Sequence, residues 1–91
     1  MESIFVTDPE ICQSLKISKS KRCELTSQGL FPPPLHGGGL KRSLWLREEL
    51  DLYCHAVIRE LPPIALQALV RVMLAKRKAV KLPTDTEEKE D

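Results

Sequence analysis

Short apolar blocks separated by polar turns occupy the first third of the chain. Thr7-Asp8-Pro9-Glu10 is typical of a helix start: a side-chain oxygen accepts a free N–H, proline pre-sets φ, and a carboxylate faces the positive end of the helix dipole. The apolar spacing that follows predicts a first helix ending near Lys16. Ser18 can cap a second helix over residues 19–28, and Gly29 suits the left-handed position after it. So short a connection joins helices at a steep angle, as in a helix-turn-helix unit.

The next segment cannot continue as helix, because residues 32–34 are prolines without N–H donors. We expect residues 30–35 to form an edge strand, the glycines at 37–39 to reverse the chain, and residues 40–45 to return as a second strand. Phe31 and Trp45 are expected to lock this two-stranded wing to the helices. The predicted fold is therefore mainly α with a small two-stranded antiparallel β-hairpin, a winged helix-turn-helix with an additional C-terminal helix.

Two further helices are predicted after the wing. Residues 46–61 form the third helix, whose expected buried face is Leu46, Leu50, Tyr53, Cys54, Val57 and Ile58. Pro62-Pro63 breaks the chain, and Pro63 suits the first turn of a fourth helix reaching about Lys81. We divide the chain into a winged helix-turn-helix domain at 1–61, a C-terminal amphipathic and basic helix at 62–82, and an acidic tail at 83–91, expected to be disordered.

The fourth helix is apolar around much of its circumference. A small winged domain covers only one face of such a helix, so we expect the other face to pair with a second subunit in a homodimer or cooperative assembly through residues 62–82. Paired recognition helices would then read half-sites about one DNA turn apart.

Charge distribution points to a polyanionic partner. The net charge is +1, but residues 1–60 carry eight basic and eight acidic side chains, whereas 61–82 carry five basic and no acidic ones. The last nine residues contain five acids, so the part before them is about +5.

Composition argues against several function classes. Cys12, Cys23 and Cys54 match no disulfide or zinc spacing and are interpreted as buried thiols in a reducing compartment, so we expect neither metal nor cofactor. No apolar run is long enough for a membrane span, which predicts a cytoplasmic location. Paired carboxylates, a phosphate loop and an activated nucleophile are absent from the sequence, so we expect neither an enzyme nor a small-molecule substrate.

Candidate DNA contacts lie on the second helix and the wing. The first turn of the second helix would enter the major groove, and the wing would reach the backbone or the minor groove. The predicted contact residues are Ser18, Lys19, Ser20, Lys21, Arg22, Lys41, Arg42 and Arg47. The plainer interpretation of Lys19, Lys21 and Arg22 is a solvated helix face, and that of Lys41 and Arg42 is a pair of charges that protects an edge strand. The cations near the end of the fourth helix also suit its dipole.

The motif order resembles a known family. Ile17-Ser18-Lys19-Ser20, Gly29-Leu30-Phe31-Pro32, a glycine-containing hairpin ending at Trp45, and Arg47-Glu48-Glu49-Leu50 resemble the AlpA-like and phage excisionase-like regulators of the MerR-type winged helix superfamily. The resemblance covers about residues 3–60 and implies sequence-specific binding of double-stranded DNA. The implied role is a transcriptional regulator or an excisionase, a recombination directionality factor, of a mobile genetic element such as a prophage. Arg22-Cys23 departs from the family pattern of an aliphatic residue followed by Tyr.

A second interpretation is a protein interaction module that has lost specific DNA binding. Its C-terminal helix would dock an integrase or another partner. The balanced charge of residues 1–60 favours this alternative, and the cations at 19–22 oppose it.

Overall fold

A computed structural model describes residues 3–36, 39 and 41–83 of the chain. Within these residues lie four α-helices and a two-stranded antiparallel sheet, which confirms the predicted mainly helical class. In chain order the elements are β1 Phe5–Thr7, α1 Asp8–Leu15, α2 Lys19–Ser27, β2 Leu44–Leu46, α3 Arg47–Ile58 and α4 Pro63–Lys78. Gly37, Gly38 and Leu40 of the expected hairpin, and the tail from 84 to 91, lie outside the described residues.

Helices α1 and α2 form as predicted and are joined by residues 16–18. Lys16 takes a left-handed conformation with φ 59°, and the N–H of Ile17 donates to the Cys12 carbonyl at 3.0 Å. After α2, Gly29 has φ 77°, and the Leu30 N–H donates to the Leu25 carbonyl at 2.9 Å, so the predicted left-handed end is confirmed.

The sheet is not the predicted hairpin. Strand β2 pairs with β1, with Val6 opposite Trp45, and residues 30–35 form no strand; a single bridge joins Leu35 to Leu44. The prolines lack ladder donors, and their carbonyls bond to side chains: Pro32 accepts from Trp45 Nε1 at 2.8 Å. The aromatic and β-branched run Phe5-Val6-Thr7 was the sequence signal for β1.

The backbone donors on the outer edge of β1 bond to nearby side chains. The Arg47 N–H donates to the Ile4 carbonyl at 2.7 Å. Because hydrogen-bonded positions alternate along an antiparallel ladder, the backbone N–H groups of Phe5 and Thr7 point away from β2. The Phe5 N–H donates to Ser3 Oγ at 3.2 Å, and the Thr7 N–H donates to Glu10 Oε1 at 2.8 Å. Both outward donors are therefore satisfied locally.

The core lies between the sheet and the helices. Phe31 packs edge-on against Tyr53, with ring centroids 4.9 Å apart, and lies 6.2 Å from the Trp45 ring. The buried cluster consists of Val6, Ile11, Phe31, Trp45, Leu50, Tyr53 and Met73. Phe31 and Trp45 thus anchor the proline segment to the helices, whereas the sequence analysis expected them to lock a two-stranded wing.

The buried face of α3 differs from the predicted one. Leu50 and Tyr53 are buried as expected, but Val57 and Ile58 are 51% and 75% exposed, whereas Glu49 and Ala56 are buried. The end of α4 contacts this side of α3, because Arg77 pairs with Glu49.

Helix α4 contributes to the same core. Val70 and Met73 are buried, while Ile64 and Val72 on the opposite side are 78% and 50% exposed. Arg77 donates to both oxygens of Glu49 at 2.6 and 2.8 Å and to the Pro33 carbonyl at 2.8 Å. The predicted domain boundary at residue 61 lies between this helix and the rest of the core, to which α4 contributes Met73.

Candidate nucleic-acid interface

The first turn of α2 is capped and exposed. Ser18 Oγ accepts the Lys21 N–H at 3.1 Å, the N-cap bond that the sequence predicts. Lys19, Ser20 and Lys21 are all exposed. Lys21 has only a long ion pair with Glu24, at 3.8 Å between two half-exposed side chains, which holds it weakly. The turn therefore presents two cations and a hydroxyl to solvent, while the Ser18 hydroxyl is used in the cap.

A shallow depression brings α2 and the predicted wing together. It has a volume of about 370 Å³ and is lined by Thr7, Asp8, Pro9, Lys19, Lys41, Arg42 and Ser43. Lys19 is separated from Lys41 and Arg42 by more than twenty positions in sequence. The fold nevertheless places all three cations around one concave surface.

Arg22 does not belong to this exposed set. Its side chain is 7% exposed, and it makes a two-pronged contact with Asp8, Nη2 to Oδ2 at 2.7 Å and Nε to Oδ1 at 2.9 Å. Its guanidinium carbon also lies 4.7 Å from the centre of the Trp45 ring. The structure thus places Arg22 in the interior between Asp8 and Trp45, whereas the sequence analysis placed it among the exposed DNA contacts.

Asp8 introduces a carboxylate into the wall of the depression. The hydrogen bond from Arg22 is the largest cause that lowers its pKa, and the charges of Arg22 and Lys19 act in the same direction against burial. Asp8 is thus ionised at neutral pH, and its charge is balanced by Arg22. Lys19, Lys41 and Arg42 leave the depression with an excess of positive charge.

Arg47 lies outside the depression. It is half-buried, and its Nε donates to the Ser3 carbonyl at 2.7 Å. It lines a different hollow, together with Glu48 and Asp51. The structure thus separates Arg47 from the other predicted contact residues and uses it to hold the N-terminal segment.

The basic residues of α4 differ in their surroundings. Arg77 is committed to Glu49 and Pro33, whereas Arg71, Lys76 and Lys78 are exposed. None of these side chains lines the depression.

Two features of the site carried no sequence signal. Asp8 and Arg22 are fourteen positions apart, and their pairing depends on the angle between α1 and α2. Thr7 and Ser43 reach the depression only because β1 pairs with β2.

The three cysteines are less buried than predicted. Cys12 and Cys54 are half-buried, and burial raises the pKa of each thiol. Cys23 is exposed, contrary to the prediction, because the adjacent Arg22 occupies the inward direction on α2. Across the described part of the chain, no three His, Cys, Asp or Glu side chains are grouped as metal ligands.

No described helix is both long and apolar enough to cross a membrane. Comparison of the chain with protein-family models, with curated proteins and with solved structures gives no match.

Proposed function

We propose that this chain is a sequence-specific binder of double-stranded DNA that acts without enzymatic chemistry. In this proposal α1 and α2 form a helix-turn-helix unit, and Lys41 and Arg42 belong to the wing beside it. The observation that carries the proposal is the grouping of Lys19, Lys41 and Arg42 around one depression beside the exposed first turn of α2. The resemblance to excisionase-like proteins favours a transcriptional regulator or a recombination directionality factor of a mobile element, working in the cytoplasm.

The mode of binding follows from the exposed groups. The first turn of α2 enters the major groove, where Lys19, Ser20 and Lys21 reach base edges or phosphates. Lys41 and Arg42 contact the phosphate backbone or the adjacent minor groove. Ser18 fixes this turn through its cap bond.

A direct test compares three double variants with the wild-type chain. The probe is a duplex selected from a randomised library by the wild-type protein, and affinity is measured by fluorescence anisotropy at several salt concentrations. We expect Lys19→Ala/Lys21→Ala and Lys41→Ala/Arg42→Ala each to weaken binding by about tenfold or more. Each should also make the dependence of log K on log salt shallower, by about 0.9 for each phosphate that the variant no longer neutralises.

The matched control is Lys76→Ala/Lys78→Ala, which removes the same charge from α4. We expect it to retain most of the affinity. Equal losses in all three variants would mean that net charge alone attracts DNA, and normal binding by both depression variants would refute the assigned interface.

A second copy of the chain is the partner that we assign to the outer face of α3 and α4. Val57, Ile58, Ile64 and Val72 leave an apolar surface in solvent. Where exposed apolar side chains form one continuous patch, the patch commonly marks an interaction site. Homodimerisation here would present two α2 helices to paired half-sites.

The competing function is a protein interaction module that uses this same apolar face to dock an integrase or another protein. The exposure of Ile58 and Ile64 favours it. It predicts a chain that shows no preference among duplexes of the randomised library, so the selection step separates the two functions.

A further inference from the structure

The proposed DNA interface contains a negative charge. Asp8 lines the same depression as Lys19, Lys41 and Arg42, although its side chain is only 14% exposed. A phosphate approaching these cations therefore also approaches a carboxylate. A carboxylate repels a phosphate, and this repulsion is stronger where solvent is partly excluded.

The guanidinium of Arg22 makes its hydrogen bonds inside the protein, chiefly with Asp8. Its Nε and Nη2 occupy both Asp8 oxygens, and Nη1 donates to Thr26 Oγ1 at 3.3 Å. The guanidinium lies over the face of Trp45, an arrangement that stabilises a cation. With all three nitrogens and the ring face engaged, this charge stays behind the wall of the depression.

We infer that Arg22 is the internal counter-charge that makes the depression receptive to DNA phosphate, because it neutralises Asp8 from behind. The inference rests on the proposed DNA-binding function and adds a positioning residue to it. It also assigns Asp8 a role: with both oxygens held by Arg22, Asp8 reads no base and serves as the link between α1 and α2.

Removal of Arg22 alone exposes the effect of the carboxylate. In Arg22→Met the pair changes from neutral to a single negative charge beside Lys19. We expect DNA affinity to fall by about tenfold, which is the size of effect that one uncompensated charge has near a partly buried site. In Asp8→Asn/Arg22→Met both charges are absent, and we expect affinity to return to within about threefold of wild type.

The experiment measures anisotropy of a fluorescein-labelled duplex of random sequence at low salt for wild type, Arg22→Met, Asp8→Asn/Arg22→Met and Arg22→Lys. Circular dichroism records the folded fraction of each. Lysine keeps the positive charge but lacks the planar fork, so Arg22→Lys should retain affinity even where stability falls. Lys78→Met removes one positive charge outside the depression and is the control for net charge.

Rescue by the second substitution distinguishes electrostatic from purely structural action. A folded double variant that still binds about tenfold more weakly than wild type overturns the inference, as does a folded Arg22→Lys with the same loss. These two arms remain decisive even if Arg22→Met does not fold. If the wild type binds DNA and a folded Arg22→Met binds equally well, this inference alone is refuted. If the wild type does not bind DNA, the proposed function is refuted together with the inference.

Discussion

Single residues in this chain carry several structural roles at once. Asp8 begins α1, lines the depression and holds Arg22 at 2.7 and 2.9 Å. Arg22 in turn contacts the ring of Trp45, whose N–H is bonded to the Pro32 carbonyl. These contacts together link α1, α2, β2 and the proline segment.

The first prediction concerns acid stability at this point. Arg22 holds the folded-state pKa of Asp8 below its ordinary value, so the stabilisation is complete above about pH 4 and is lost as the pH falls through the folded-state pKa. We expect the free energy of unfolding of the wild type to decline in this acid range and that of Asp8→Asn to decline less. Urea denaturation at a series of pH values measures both. Parallel curves for the two proteins would contradict the coupling.

Sequence reasoning was accurate at this scale where chemistry is local. Ser18 as an N-cap and Gly29 as a left-handed residue both follow from neighbouring positions. Arg22 was misassigned because charge normally indicates exposure, and only the three-dimensional approach of Asp8 and Trp45 compensates a buried guanidinium.

The helices were predictable from the sequence, but the pairing of the strands was not. All four helices lie near their expected positions because proline, capping residues and apolar spacing mark them. The sequence predicts a two-stranded antiparallel sheet but not its pairing, since the pairing of residues 5–7 with 44–46 is a long-range choice that no local signal records. The burial of Glu49 likewise depends on α4, because its partner Arg77 lies 28 positions away in sequence.

Helix α4 is fixed by a buried ion pair, and this supplies the second prediction. Glu49 and Arg77 side chains are 3% and 13% exposed. Arg77→Met leaves the Glu49 carboxylate buried without its partner, which typically costs about 3–5 kcal/mol. We expect a loss of that order in the free energy of unfolding, measured by urea denaturation.

Two further variants separate the ion pair from general effects. Lys78→Met alters the adjacent, exposed position and should change stability by less than about 0.5 kcal/mol. Glu49→Gln/Arg77→Met removes the buried charge while glutamine still caps Leu46, so part of the loss should return. A loss in Arg77→Met no larger than that in Lys78→Met would refute the assigned role of the pair.

At the scale of the whole molecule, the inner and outer faces of the α3–α4 hairpin differ sharply. One side contains Met73, which is 1% exposed, while the other exposes Ile58 and Ile64. In the proposed dimer a second copy would cover these exposed side chains.

The third prediction is that the wild-type chain is dimeric at about tens of micromolar in sedimentation equilibrium. Ile64→Glu/Val72→Glu should sediment as a monomer, because it places charges on the apolar face of α4. Val80→Glu, an exposed apolar position beyond the end of α4, is the matched control and should leave the dimer intact. A monomeric wild type would exclude pairing through this surface.

The locally bonded edge of β1 has a consequence for how copies can associate. An open strand edge offers N–H groups to any passing chain and is the usual start of sheet growth and aggregation. In this chain Ser3 and Glu10 already occupy the outward donors of Phe5 and Thr7. Even at a high local concentration of the protein, addition of a foreign strand to this edge must first displace those two side chains.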